Sequence, residues 1–112
     1  MNKKLELNIS ERLAAISILN EFKGNLDTLS VILEDIRKFP VSDEDWTKAE
    51  RKETKTEDRT TLTWDNDKGG LKKIEIDALT SEYIIKDIEK RDAAGEFGLN
   101  DRSYITLKAK LK

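Results

Sequence analysis

A chain of 112 residues lies near the commonest domain size, so one hydrophobic core is expected and residues 1–112 are read as a single domain. Charged side chains make up 39% of it and apolar ones 37%, against roughly 25% charged in an average globular protein; 21 Lys and Arg face 23 Asp and Glu, for a net charge of -2, a dense but balanced surface that argues against a general polyanion binder. Neither cysteine nor histidine is present, which removes disulfides, thiolate metal sites, Cys nucleophiles, Ser-His-Asp triads, nearly all zinc sites and the side chain best matched to proton transfer near neutral pH.

The start, Met1 to Asn8, is polar and alternating, and Tyr83-Ile84-Ile85 is among the longest apolar runs. Neither a secretion signal nor a membrane span is expected, and the predicted location is cytoplasmic. Asn8-Ile9-Ser10 fits a glycosylation acceptor by chance. Lys4 to Ile9 alternates, with Leu5, Leu7 and Ile9 on one side, and predicts a short edge strand. Ser10, or Asn8 with Glu11 three residues on as a capping box, opens a helix carrying Leu13, Ala15, Ile16, Ile18, Leu19 and Phe22, which Gly24-Asn25 ends. A second helix over about Leu26 to Lys38 places Leu26, Leu29, Ile32, Leu33 and Ile36 on one stripe, with Glu34 and Lys38 paired four residues apart.

Pro40, the only proline, closes that pair. Ser42 and Asp45 open a third helix running to about Lys52, whose only candidates for burial are Trp46 and Ala49, and Glu50 to Arg59 reads as its frayed end and a solvated connection. Thr60 to Trp64 and Lys72 to Ile76 are β-prone and flank Asp65-Asn66-Asp67-Lys68-Gly69-Gly70, a hairpin turn signal. Leu62 with Trp64, and Ile74 with Ile76, would form its inward face, and the N-terminal segment could join as a third strand. Asp77 or Thr80 caps a fourth helix to about Ala93, with Leu79, Tyr83, Ile84 and Ile88 inward, Glu82–Lys86 and Asp87–Arg91 paired outside, and Ala94-Gly95 as terminator. For the last segment the alternation of Ile105, Leu107, Ala109 and Leu111 suits a strand. The cap Asn100-Asp101 and the closing lysines favour instead a helix presenting Tyr104, Leu107 and Leu111. The predicted fold class is α+β: a helical domain of four to five helices with a β-hairpin, in winged-helix-like element order.

Few constellations suggest chemistry. Counted from Asp65 as a calcium loop, Gly69 falls at the fifth ligand position and Ile76 at the twelfth, where a bidentate Glu is needed. Asp43-Glu44-Asp45 suits the first turn of a helix by its dipole. Glu75 and Asp77 share a strand face with no cleft signalled, and Gly69-Gly70 lacks the spacing of a phosphate loop. No metal, no cofactor and no enzymatic activity are therefore expected. In the winged-helix comparison the would-be recognition helix begins with three acids where it would meet phosphates, which disfavours nucleic acid as a partner; Arg51, Lys52, Lys55 and Arg59 remain as possible backbone contacts.

Trp64 reads as core, whereas Trp46, on a helix with little other apolar surface, is the residue chosen to mark a partner site, with Arg51, Lys52, Lys55 and Arg59 beside it. Ile85 lies off the main stripe of its helix, and a homo-oligomer interface, of which a homodimer is one form, would absorb it. With the short length and high charge, the stretches Leu5-Glu6-Leu7-Asn8-Ile9-Ser10-Glu11-Arg12-Leu13 and Trp64-Asp65-Asn66-Asp67-Lys68-Gly69-Gly70 resemble those of small uncharacterised phage and prophage proteins. That resemblance implies an accessory protein that binds a host or viral component, for instance to block a defence system. The expected function is thus non-enzymatic binding of a protein partner; the alternatives are a winged-helix-like nucleic-acid regulator and an oligomer that sequesters a small charged ligand.

Overall fold

The structure, a computed structural model, describes residues 2–112, the side chain of Asn100 excepted. Along the chain run strand β1 (Asn2–Leu7), helices α1 (Ile9–Asn20), α2 (Leu26–Ile36) and α3 (Asp43–Lys48), strands β2 (Lys52–Lys55) and β3 (Thr60–Thr63), the single-turn helix α4 (Asn66–Gly69), strand β4 (Lys72–Asp77), helix α5 (Ala78–Ala93), a 3-10 turn (Leu99–Asp101) and helix α6 (Arg102–Leu111). This is an α+β fold with a β-hairpin, and three helices do precede the hairpin. One of its strands, β3, is the predicted one; its partner is not.

Thr60 to Trp64 does not pair with Lys72 to Ile76. β4 pairs antiparallel with β1, setting Leu5 opposite Ile74, while β3 pairs with β2. The cause is the apolar pattern. Leu5, Leu7, Ile74 and Ile76 are all buried, so β1 and β4 together offer one continuous apolar face, whereas Thr60–Thr63 carries a single apolar residue and could not cover a core. Leu62, expected inward, is exposed, and β1 joins β4 alone instead of adding a third strand. The outer face of the β1–β4 ribbon sets Lys4 opposite Glu75 and Glu6 opposite Lys73, opposite charges at facing positions that favour this register.

Asp65 to Gly70, read as the hairpin turn, becomes a helical turn. The Asp65 carboxylate accepts from the amides of Asp67 and Lys68, an N-cap. Its two glycines serve separate needs. A Cβ on Gly69 would lie 2.8 Å from Cδ1 of buried Ile9 and 3.2 Å from Cβ of Ala49, and Gly70 holds φ 71°, ψ -168°, a region essentially open to glycine alone.

α1 is capped by Asn8 with Glu11 completing the capping box, which takes Ile9 into the helix and ends β1 at Leu7. α1 finishes at Asn20, short of Gly24, and Asn25 instead caps α2 through the Thr28 amide. The predicted α2 stripe splits. Ile32 is buried and Ile36 packs on the core, but Leu26 is 80% and Leu33 51% exposed. Asp35 takes the inward place: its carboxylate accepts from the Asp77 amide and the Thr80 hydroxyl, and it pairs with Lys38, whose Nζ also donates to the Glu75 carbonyl. Lys38 therefore pairs with Asp35, not with Glu34, because both groups are drawn to the outward-facing polar groups of β4. On the other side of the ribbon Lys110 donates to the Glu6 carbonyl. Each edge of the ribbon is thus partly stoppered by a charged side chain.

In α5 the cap is Asp77, through the Leu79 amide; Leu79 itself is 49% exposed, and Thr80 and Ser81 are buried in its stead. Ile84 and Ile88 are buried as expected, and both predicted surface pairs form, Glu82–Lys86 at 3.0 Å and Asp87–Arg91 at 2.8 Å. Gly95 at φ 68° ends the helix, with its amide on the Asp92 carbonyl and that of Glu96 on Arg91, the two bonds of a Schellman stop. The last segment is a helix, and Leu107 and Leu111 enter the core with Tyr104 packed beside them. Asp101 reaches back to the Gly98 amide at 2.8 Å; the predicted Asn100 side-chain cap lies outside the described residues.

Candidate functional site

The residues singled out around Trp46 sit where α3 gives way to the β2–β3 hairpin. α3 stops four residues earlier than predicted, at Lys48, since Glu50 turns to φ 55°, its amide on the Thr47 carbonyl and that of Arg51 on Trp46. This too is a Schellman stop, built without the usual glycine. It reverses the chain so that Lys52 starts a strand, and the segment expected to fray becomes the hairpin. At the far end the Thr56 amide and hydroxyl both donate to the Arg59 carbonyl and close the turn.

The root of the hairpin is well tied. Ala49 is fully buried, and its carbonyl accepts from the Asp65 amide at 2.7 Å. Trp46 and Trp64, both half-buried, meet edge to face with ring centroids 5.3 Å apart, and the Arg51 guanidinium lies 5.3 Å from the Trp46 ring, a cation–π stack. Trp64 donates from Nε1 to Oδ1 of Asn66, which also accepts from the Ser10 amide and hydroxyl. Trp64 is therefore shared between the body and the site and is not a plain core residue. Trp46 is likewise neither fully core nor fully free.

Beneath this platform is a buried charge that the sequence did not reveal. Arg12 is 1% exposed, and its guanidinium donates to Asp45 at 3.2 Å. Burial pushes the Asp45 carboxyl up, but the Arg12 and Ser42 hydrogen bonds and the Arg12 charge outweigh it and hold the group below its ordinary value. Asp43 and Glu44 stay exposed, so the acidic triplet does not converge. Among the described residues no group of three or more Asp or Glu is placed to hold a metal ion. A second buried charge, Glu11, pairs with Lys110 at 2.7 Å. Alternation of apolar residues in α1 could not mark either charge as buried, because each sits at a position where an apolar residue would also fit.

Of the basic residues proposed beside Trp46, only Arg51 touches it. Lys52 and Lys55 lie three apart on β2 and therefore on opposite faces, and Arg59 sits at the turn. All are exposed, interleaved with Glu53, Glu57 and Asp58. They form no single basic stripe. The tip of the hairpin is acidic and Lys68, beside the root, is taken by Glu50 at 2.9 Å, which raises its pKa. Among the described residues no helix is long and apolar enough to cross a membrane. No protein-family model, curated protein or solved structure matches this chain.

Proposed function

We propose that the protein is a non-enzymatic, cytoplasmic binding protein that engages a protein partner through the β2–β3 hairpin and the Trp46–Arg51 step at its root. One observation carries this. All eight strand residues of the hairpin are exposed, although its root is fixed by the two tryptophans, buried Ala49 and the Asp65–Ala49 hydrogen bond. A two-stranded ribbon that buries no face of its own is marginal in water, so a firmly rooted blade of this kind has more to gain from a partner than it gives to its own core. The blade offers an aromatic and an arginine as anchors, Leu62 as an apolar contact, and open strand edges. The resemblance to phage accessory proteins supports a host or viral protein as the partner. The interleaved acids, with Asp43 and Glu44 exposed at the start of α3, speak against nucleic acid.

The test is comparative affinity capture from the source cells, with wild type set against Arg51→Glu and Leu62→Asp, both at exposed positions. A partner held by wild type should be lost from both variants while their melting temperatures stay within a few degrees. Equal retention by all three would refute the assignment. Binding of wild type to random duplex DNA at micromolar concentration, steeply weakened by salt, would replace it with the nucleic-acid regulator.

A further inference from the structure

The apolar surplus expected at Ile85 is absorbed within the chain, since Ile85 packs partly buried against the core. The cleft between the starts of α1 and α6 offers more. It has two halves of about 250 Å³ each, which adjoin at Ser10 and Ser103, residues that line both. Asn8, Asn66 and Arg102 line one half, and Leu13, Trp64 and Tyr104 the other.

The first half is a set of unspent donors. Oδ1 of Asn66 accepts from the Ser10 amide and, at 2.8 Å, from the Trp64 indole, while Oδ1 of Asn8 accepts from the Glu11 amide at 2.8 Å. Indole and backbone N–H groups can only donate, so both carboxamides are fixed in orientation and each keeps its NH2 group in hand. Among the described residues neither NH2 group has a hydrogen-bond partner, and the exposed Arg102 guanidinium has neither a hydrogen bond nor an ion pair. No carboxylate lines either half. That of Asp101, next to Arg102, is turned back to the Gly98 amide at 2.8 Å, and that of Glu11, next to Ser10, is held by Lys110. An anion satisfies such a set, whereas a cation would find no opposite charge there. In the second half Trp64 and Tyr104, both half-buried, supply aromatic surface on which a flat ring stacks.

We infer that this cleft binds a small phosphate ester of a planar ring, a nucleoside monophosphate in its simplest form, with the phosphate at Arg102 and the two carboxamides and the ring against Trp64 and Tyr104. The guanidinium fork matches two phosphate oxygens. Each half is smaller than the roughly 300 Å³ at which sites for drug-sized ligands begin, so each takes one group of the ligand. Neither strand of the hairpin lines the cleft, and the test therefore stands apart from that of the hairpin.

The probes are the four ribonucleoside monophosphates, titrated into isotope-labelled protein and followed by NMR. The Trp64 indole N–H and the NH2 signals of Asn8 and Asn66 should move together at millimolar ligand or below. For the tightest of the four, its own nucleoside and inorganic phosphate, each probing one half, should bind about tenfold or more weakly, the scale of one lost contact. Arg102→Ala should bring that nucleotide down to the affinity of its nucleoside with the thermal melt unchanged, since Arg102 is exposed and unpaired. A dinucleotide with a terminal phosphate should gain nothing over the mononucleotide; a tenfold gain would overturn the assignment in favour of a nucleic-acid end. No movement of these signals with any of the four, or an affinity indifferent to Arg102→Ala, would overturn it outright.

Discussion

Glu50 is the residue at which backbone geometry and side-chain chemistry pull apart. At φ 55° an L residue suffers contact between Cβ and the carbonyl oxygen, at a cost of about 1 to 2 kcal/mol, and the exposed Lys68 pair returns little of it. Glu50→Gly should therefore raise stability by about 0.5 to 1 kcal/mol, less than the full strain because glycine also loosens the unfolded chain, seen as a higher urea midpoint at unchanged slope. Asp45 makes a prediction of opposite sense. Its folded-state pKa lies below the ordinary 3.8, so its pairing with Arg12 contributes in full above that pH and is lost as the pH falls through the lower folded value. Asp45→Asn should be less stable than wild type at pH 6, and the gap should narrow on acidification below about pH 4. Neither the turn at Glu50 nor the pairing of Asp45 with Arg12 stood out in the sequence. Glu50 occupies a position where glycine would have announced the turn, and Arg12 hides its burial behind a charged name, whereas Asn8, Asp77 and Gly95 were legible because their side chains, or the lack of one, have few other uses at a helix end.

Among the elements, helices were easier to foresee than strand partners. A helix satisfies its hydrogen bonds within itself, so caps and spacing identify it. A strand must find its partner elsewhere, and the nearest turn signal led to the wrong one: Asp and Gly residues at 65–70 suit a capped helical turn as well as a hairpin. What decided the pairing was the apolar face, Leu5 and Leu7 against Ile74 and Ile76, a match made across most of the chain. The same contrast separates the two ribbons dynamically. β1–β4 lies on the core with its edges stoppered by Lys38 and Lys110, while β2–β3 is exposed along both strands. Amide hydrogen exchange should therefore show Leu5 and Ile74 opening only with global unfolding, and Thr54 and Thr61, paired across the hairpin, exchanging orders of magnitude faster. Equal protection would mean that the hairpin draws stability from contacts with the body.

For the molecule as a whole, the radius of gyration of 14.8 Å exceeds the roughly 13 Å expected of a compact chain this long, and the extents of 42 × 31 × 25 Å are unequal, as befits a body from which a ribbon projects. The candidate site was legible in its anchor, Trp46 with Arg51 beside it, but not in its shape, because the hairpin rests on a left-handed Glu that no composition rule would flag. The pairing of β1 with β4 has a further consequence in time. During synthesis β1 leaves the ribosome well before its partner, with the three helices and the whole hairpin made in between, so Leu5 and Leu7 have no strand to pair with until residue 77 has been added, and Lys110, which holds the Glu6 edge, comes later still. Because residues are added at only about 5 to 20 per second, far more slowly than chain segments meet and pair, the growing chain carries an uncovered apolar strand until β4 has emerged. A chain stalled before β4 would then be the species most exposed to aggregation or to capture by a chaperone.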